Sequence, residues 1–354
     1  MASKGADVRV VGVGGAGGNA VRYMAARGLE GVVLVAANTD TQALAHHPAD
    51  VHVVLGKRAT RGLGAGGRAS VGLSAAQESI PQIARAIEGA DMVFVAAGLG
   101  GGTGTGAAPL VASVAQQQGA LVVGVVTLPF AFEGSRRMRL AQQGLDALAE
   151  HVDSLLVIEN DRLLELGGGE PTALEAFARA DAVLSDGVRG IGELVVRPGL
   201  VNLDFADVCA VLRGGGRAVM GLGVGHGPHR AVQAVEEAAR SPLLAQSSIE
   251  GARGVLLSFT VDPKLGLGRI HEAAARVQAE VDDDAEILFG VCVDPTLHDE
   301  VHVSIVAAGL PQHEHAITHS AEMEIQPAAA FASHDAPVLV GSVSRRRNAL
   351  VMLR

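Results

Sequence analysis

Two glycine-rich segments hold the residues best suited to chemistry. The first, Gly12-Val13-Gly14-Gly15-Ala16-Gly17-Gly18-Asn19, follows a β-branched run. The second, Gly98-Leu99-Gly100-Gly101-Gly102-Thr103-Gly104-Thr105-Gly106, follows another and places six glycines and two threonines in nine positions. Glycine lets a backbone turn sharply and aim its N–H groups at an anion, and the positive end of a following helix adds to that field. The first segment matches G-x-G-x-x-G, a dinucleotide pattern that a plain strand-to-helix turn also satisfies. The second is harder to explain without a ligand or close packing, because ordering so many glycines costs much backbone entropy. Neither segment carries the lysine of G-x-x-x-x-G-K-[ST], which argues against a Walker-type site. A phosphate-rich ligand is expected between the two.

The elements that must hold these loops follow from periodicity. Strands are expected over 8–13, 32–37, 92–97, 121–126 and 154–158, with helices over 19–27, 74–87, 107–118 and 136–150. Strands apolar on both faces, alternating with helices, argue for a parallel sheet covered on both sides. Both glycine loops then lie at C-terminal strand ends, where ligands bind in open α/β sheets. One long helix over 171–193, which Thr172 could cap, leads away from this sheet. Beyond Pro198-Gly199 the pattern is α+β: helices over 204–212, 231–239 and 269–280, and strands over 218–224, 255–260, 287–293 and 301–307. The expected division is a nucleotide-binding domain over 1–170, a connecting helix over 171–198, a smaller α+β domain over 199–310 and a flexible tail over 311–354.

Composition narrows the function. Of 354 residues 48% are hydrophobic, ample for such cores, and the formal net charge of −10 disfavours nucleic acid as the main ligand. One Tyr and no Trp leave little for base stacking. The longest apolar run, 120–132, contains Gly124 and Pro129 and falls short of the roughly 18 residues of a membrane span. Cys209 and Cys292 fit no metal or redox spacing, and the first residues show no signal-peptide pattern, so a cytosolic compartment is expected. His313, His315 and His319 in the tail are read as a solvated polar stretch rather than a metal site.

The segment Gly100 to Gly106 resembles the signature loop of the tubulin/FtsZ family, in the form used by its bacterial and archaeal cell-division members. Further segments are similar in the same order: Asn38-Thr39-Asp40, Thr60-Arg61-Gly62-Leu63-Gly64-Ala65-Gly66 and Pro129-Phe130-Ala131-Phe132-Glu133-Gly134. Asn160-Asp161-Arg162-Leu163-Leu164 and Pro198-Gly199-Leu200-Val201-Asn202-Leu203-Asp204-Phe205-Ala206-Asp207 complete the series, which spans roughly residues 7–310. The resemblance implies a parallel-sheet GTP-binding domain joined by a long central helix to a smaller α+β domain. It implies GTP or GDP as ligand, with Mg²⁺ on the phosphates and no separate protein metal site.

Position by position, the resemblance implies that Gly15, Ala16, Gly17 and Gly18 lie along the phosphates and that Asn19 reaches toward the base. Gly101, Gly102, Thr103, Gly104, Thr105 and Gly106 would cradle the phosphates, chiefly through the last three. Glu133 would bond the ribose hydroxyls, Arg137 would contact the sugar-phosphate, and Asn160 would lie near ribose and base. Phe177 would stack on guanine while Asp181, one helical turn on, accepts from the base's N1 and N2 donors. Without the resemblance, Phe177 reads as core, Asp181 as a solvated charge, and Glu133 with Arg137 as a surface pair.

Read locally, Asp204 could cap a helix, with Asp207 favoured in its first turn. The resemblance implies more: this loop docks onto the nucleotide of the next subunit in a head-to-tail filament. Asp204 and Asp207 would polarise the attacking water and Asn202 would position it, so that hydrolysis depends on polymerisation. It further implies a division scaffold on the cytoplasmic face of the membrane, with membrane-tethering and regulatory division proteins held through the tail. The tail, with Arg345-Arg346-Arg347 near its end, departs from the family's usual order. Two other readings compete. One is an oxidoreductase resting on Gly12-x-Gly14-x-x-Gly17 with Asp40 or Glu30 on a ribose; the other is a nucleotide-binding filament protein that hydrolyses poorly.

Overall fold

A computed structural model describes residues 5–310 except 30, 166–170, 197–198, 202, 242, 245–248, 250 and 282–284. The tail over 311–354, with His313, His315, His319 and the three arginines, lies outside the described residues.

In chain order the first half comprises β1 (Val8–Val13), α1 (Gly14–Arg27), β2 (Val32–Asn38), α2 (Thr41–Leu44), β3 (Val51–Val54), α3 (Ala69–Glu78) and α4 (Ile80–Ala86). It continues with β4 (Met92–Gly98), α5 (Thr103–Gln117), β5 (Leu121–Leu128), α6 (Ser135–Ala149) and β6 (Ser154–Glu159). The long helix α7 (Ala173–Val196) is followed by α8 (Phe205–Leu212), β7 (Gly216–His226) and α9 (Arg230–Ala239). The chain then forms β8 (Gly254–Val261), α10 (Leu267–Gln278), β9 (Glu286–Val293) and β10 (Glu300–Ala308).

The strands form one sheet in the order β3-β2-β1-β4-β5-β6-β7-β10-β8-β9. From β3 to β6 every pairing is parallel, as strands buried on both faces require. In β4, Met92, Phe94 and Ala96 face one core, beneath α1, α7 and α8, while Val93, Val95 and Ala97 face the other, beneath α3 to α6. The second half has its own core, where α9 and α10 cover β8 and β10. There β10 pairs antiparallel with β7 and β8, and β8 pairs parallel with β9. The architecture is therefore an α/β parallel-sheet domain, a long central helix and a smaller α+β domain. The two halves share backbone hydrogen bonds through a short parallel seam, Ser154↔Gly216 to Leu156↔Ala218.

Three local expectations are corrected. The helix expected over 74–87 is two helices, α3 and α4, broken at Ser79, whose hydroxyl accepts from the Gly56 amide at 2.8 Å, and Pro81 fits the first turn of α4. Both helices after the glycine loops start earlier than expected, α1 at Gly14 and α5 at Thr103, so part of each glycine run is the first helical turn. The short elements α2 and β3 are additional to the expected set. The cap at the start of α7 is present and reciprocal: the Glu175 amide donates to the Thr172 hydroxyl at 3.3 Å, and the Thr172 amide donates to the Glu175 carboxylate at 2.8 Å. Among the described residues no helix is long and apolar enough to cross a membrane.

Candidate functional site

The C-terminal ends of β4 and β5, the turn after β6 and the N-terminal turns of α1, α5 and α7 enclose a cleft of about 240 Å³. Its floor is made of the two glycine segments. A Cβ built on Gly14 would lie 2.9 Å from the Gly104 nitrogen, so the positive ends of α1 and α5 converge. The first three amides of each helix, at Gly14, Gly15 and Ala16 and at Thr103, Gly104 and Thr105, have no acceptor within their own helix. Two such ends side by side form a strong anion-binding floor.

The glycines divide into two kinds. A Cβ on Gly17 would collide with the Ala96 carbonyl and one on Gly106 with the Ala69 carbonyl, so those positions are fixed by packing. A Cβ on Gly15 or Gly101 would meet nothing within 4 Å, and both residues line the cleft. Packing leaves room for a side chain at 15 and 101; a ligand lying against the backbone would not. That is the fit expected for a phosphate chain.

Of the remaining loop positions, Ala16, Gly102, Thr103 and Gly104 line the cleft. Gly17, Thr105 and Gly106 do not appear on its wall. The Thr105 hydroxyl accepts from the Gly100 amide at 2.8 Å and braces the loop, and the Gly106 amide already donates to the Gly102 carbonyl at 3.1 Å. Gly18 and Asn19 face a smaller cavity of about 50 Å³ behind α1. The Thr103 hydroxyl stands 2.6 Å from that of Thr39 at the end of β2, which ties the start of α5 to the neighbouring strand.

The walls come from three elements. Glu133 accepts from the Phe130 amide at 2.8 Å and pairs with Arg137 at 2.9 Å, so both carboxylate oxygens are engaged. Asn160, after β6, is 6% exposed, and its Oδ1 has no hydrogen-bond partner. A buried acceptor without a donor is costly, and one on a cleft wall fits a ligand N–H or O–H. On α7, Phe177, Ala180, Asp181 and Leu184 share one face toward the cleft. Phe177 is 44% exposed and meets Phe130 edge-on at 5.3 Å, which leaves ring surface open for stacking. Burial pushes the Asp181 carboxyl up to about 6, with the Asn19 amide, 3.1 Å away, pulling the other way.

Sequence reasoning missed Ala180 and Leu184, although their spacing from Phe177 and Asp181 was there to be read. It also missed Thr127, Pro129 and the Thr39 brace, which only the sheet brings to the cleft.

Asp204 and Asp207 are elsewhere. Both are exposed and neither lines the cleft. Asp204 occupies the N-cap position of α8, yet its carboxylate makes no cap hydrogen bond, so the local expectation of a cap is corrected. Asn202 lies outside the described residues. From Leu184, the last cleft residue on α7, twelve further residues to Val196 carry the chain roughly 18 Å away from the cleft. The far end of α8 is anchored at the start of β6, where the Ser154 hydroxyl donates to the Leu212 carbonyl at 2.6 Å, whereas Asn160 follows the end of that strand. Cleft and carboxylate loop therefore lie toward opposite ends of the parallel strands.

Asp40 accepts from the Gln42 amide at 2.8 Å and caps α2, which commits the ribose ligand an oxidoreductase would need; Glu30 lies outside the described residues. Among the described residues no group of three or more His, Cys, Asp or Glu side chains is placed to hold a metal ion.

Comparison with known proteins identifies the family and the fold. Residues 7–168 match the model of the tubulin/FtsZ family GTPase domain, and residues 216–311 that of the FtsZ family C-terminal domain. A cell division protein FtsZ from Azotobacter vinelandii is 46% identical over 328 residues, 93% of this chain and 83% of that protein. Its counterpart from Pseudomonas aeruginosa is 48% identical over 305 residues, 86% of this chain and 77% of that one. Among solved structures, an empty FtsZ dimer from M. jannaschii matches with a TM-score of 0.84 and 44% identity, over 87% of this chain and 89% of its own. The GTPγS-bound protofilament of CetZ2 from Haloferax volcanii shares the fold, with a TM-score of 0.72 at 23% identity over 87% of this chain and 94% of its own.

Proposed function

Because this chain belongs to the tubulin/FtsZ family, as an FtsZ-type self-assembling GTPase of cell division, we propose that GTP occupies the cleft and is hydrolysed only where two subunits meet. The phosphates lie on the paired N-termini of α1 and α5, against Gly15 and Gly101. Guanine stacks on Phe177 and gives its N1 and N2 hydrogens to Asp181, a pairing that adenine, with an acceptor at N1, cannot make. Asn160 supplies the acceptor for a ribose or base donor, and Glu133 with Arg137 holds the sugar and adjoining phosphate. Mg²⁺ carried on the phosphates supplies positive charge to offset what develops on the transferred phosphoryl group.

One observation supports the shared site above the others. The cleft has two carboxylates of its own, Glu133 and Asp181, and the sugar and the base take both, which leaves none for the attacking water. Asp204 and Asp207 are free of any cap, exposed, and toward the opposite end of the subunit. Stacked head-to-tail, one subunit's loop meets the next subunit's cleft, and the two aspartates orient the attacking water, with Asn202 as a positioning group. A heterologous contact of this kind does not close on itself and so builds a filament. The nucleotide-binding part is 1–170, the connecting helix 171–198 and the α+β part 199–310. The tail over 311–354 serves membrane-tethering and regulatory division proteins at the cytoplasmic face of the division site.

The test is phosphate release per subunit as a function of protein concentration, with magnesium, beside sedimentation in GTP and in GDP. A rate near zero below a threshold, rising with GTP-dependent pelleting, is the expected result. A rate per subunit that survives dilution would mean that each subunit holds a complete site.

A further inference from the structure

His47, in the turn between α2 and β3, is 6% exposed and has a partner on each ring nitrogen. The Ala49 amide donates to Nδ1 at 3.2 Å, which makes that nitrogen an acceptor and puts the proton on Nε2. Nε2–H then donates to the Gly18 carbonyl of α1 at 2.7 Å. His52 of β3 donates to the His47 carbonyl at 2.9 Å and meets its ring edge-on, which fixes the turn from below. The neutral, Nε2-protonated imidazole satisfies both bonds at once.

The helix it touches needs outside support. The start of α1 contains Gly14, Gly15, Gly17 and Gly18, and its N-cap residue, Val13, makes no side-chain cap. Glycines favour the unfolded backbone, so such a turn is weakly held by its own sequence. Yet Gly15 and Ala16 line the cleft, and Asn19, the residue after Gly18, holds Asp181.

We propose that His47 is a positioning residue for nucleotide binding: through the Gly18 carbonyl it fixes the glycine-rich start of α1, and with it the amides of Gly15 and Ala16 and the side chain of Asn19. The inference rests on the nucleotide reading of the cleft. It carries a pH signature. Burial holds His47 below the usual imidazole range, against the pull of the Gly18 carbonyl, and Arg22 on α1 and His52 on β3 push the same way as burial. Protonating Nδ1 would remove the acceptor for the Ala49 amide and set a charge beside Arg22. The Nε2–H bond to Gly18 survives that protonation, but the turn that seats the ring loses its Ala49 tie, so the brace is intact above that lowered pKa and weakens as pH falls through it. Asp181, beyond Asn19, is pushed up to about 6 by burial, so its own loss on acidification must be separated from that of His47.

The experiment measures affinity of the full chain for GDP, without magnesium and below the assembly threshold, from neutral pH down to about 5.5. His47→Leu keeps bulk but loses both bonds; His47→Gln keeps an amide donor for Gly18 and does not titrate. His47→Leu is expected to weaken GDP binding roughly three- to tenfold at neutral pH, the worth of one hydrogen bond. His47→Gln should stay within about twofold of the native chain and lose less affinity on acidification, its remaining loss being that of Asp181. Native affinity in His47→Leu would overturn the inference, as would superimposable pH profiles for His47→Gln and the native chain. The second comparison decides the matter even if the leucine variant does not fold. A native chain that bound no GDP would instead overturn the nucleotide reading, and this inference with it.

Discussion

The side-chain amide of Asn19 on α1 reaches 3.1 Å across to Oδ2 of Asp181 on α7, and this hydrogen bond ties the phosphate-facing helix to the long helix at the cleft. The carboxyl at that bond, pushed to about 6 by burial, is the group assigned to guanine.

A pH dependence with a definite sign follows. The free subunit's Asp181 is protonated below about 6, whereas guanine's two donors call for the ionised form. Its contribution to GDP affinity is present above about 6 and lost as pH falls through it. Near that pH, binding should release protons, which calorimetry in buffers of different ionisation enthalpy detects. Asp181→Asn should lower affinity about tenfold or more and erode the preference for guanine over adenine. An unchanged preference would remove Asp181 from base recognition.

Two alanine substitutions two residues apart should behave in opposite ways. Gly15→Ala puts a methyl into open space within α1, so stability should hold or rise by about 0.5–1 kcal/mol while nucleotide affinity falls. Gly17→Ala drives a methyl into the Ala96 carbonyl and should cost about 1–3 kcal/mol. Thermal melts beside GDP titrations separate the two effects. Equal melting points would contradict the division of the glycines.

Asp204→Ala removes a carboxylate that makes no cap bond, so the loss of stability should be below the ~1 kcal/mol a capping side chain is usually worth. GDP binding should be unchanged and filaments should still sediment in GTP. Phosphate release in those filaments should drop roughly a hundredfold or more, with Asp207→Ala behaving alike. Undiminished release would favour a filament protein whose hydrolysis does not use this loop.

Asn160→Leu tests the unpartnered buried acceptor. GDP affinity should fall roughly three- to tenfold, the value of one hydrogen bond made only with ligand present. If affinity is retained, Oδ1 faces no donor in the complex.

Much of the fold was legible because its signals are local. The expected strand over 8–13 is β1 itself, and β4 and β5 begin where expected, since runs of Val and Ala apolar on both faces end at turn residues. What could not be read comes from distant partners. In β3, Val51-His52-Val53-Val54, the strand is too short and mixed to declare itself and exists by pairing with β2. Glycine reads as loop, yet Gly14 to Gly18 are helical because α1 packs closely over the sheet. The break at Ser79 depends on Gly56, and the seam between β6 and β7 on three residue pairs with no local signature. In the site, residue types came from motif and spacing, but the bonds Asn19–Asp181, Thr39–Thr103 and His47–Gly18 join positions 162, 64 and 29 apart. No periodicity reports such pairs.

The placement of cleft and carboxylate loop toward opposite ends of the subunit has an arithmetic consequence for any open chain built from it. On the proposed shared site, a row of n subunits would have n nucleotides but n − 1 junctions, so one terminal nucleotide would lack a catalytic neighbour. A dimer would turn over half of what it carries, and a long filament nearly all. Turnover per subunit would then become a gauge of mean filament length, and the two tips would differ chemically, one ageing and the other keeping its GTP until the next subunit arrives.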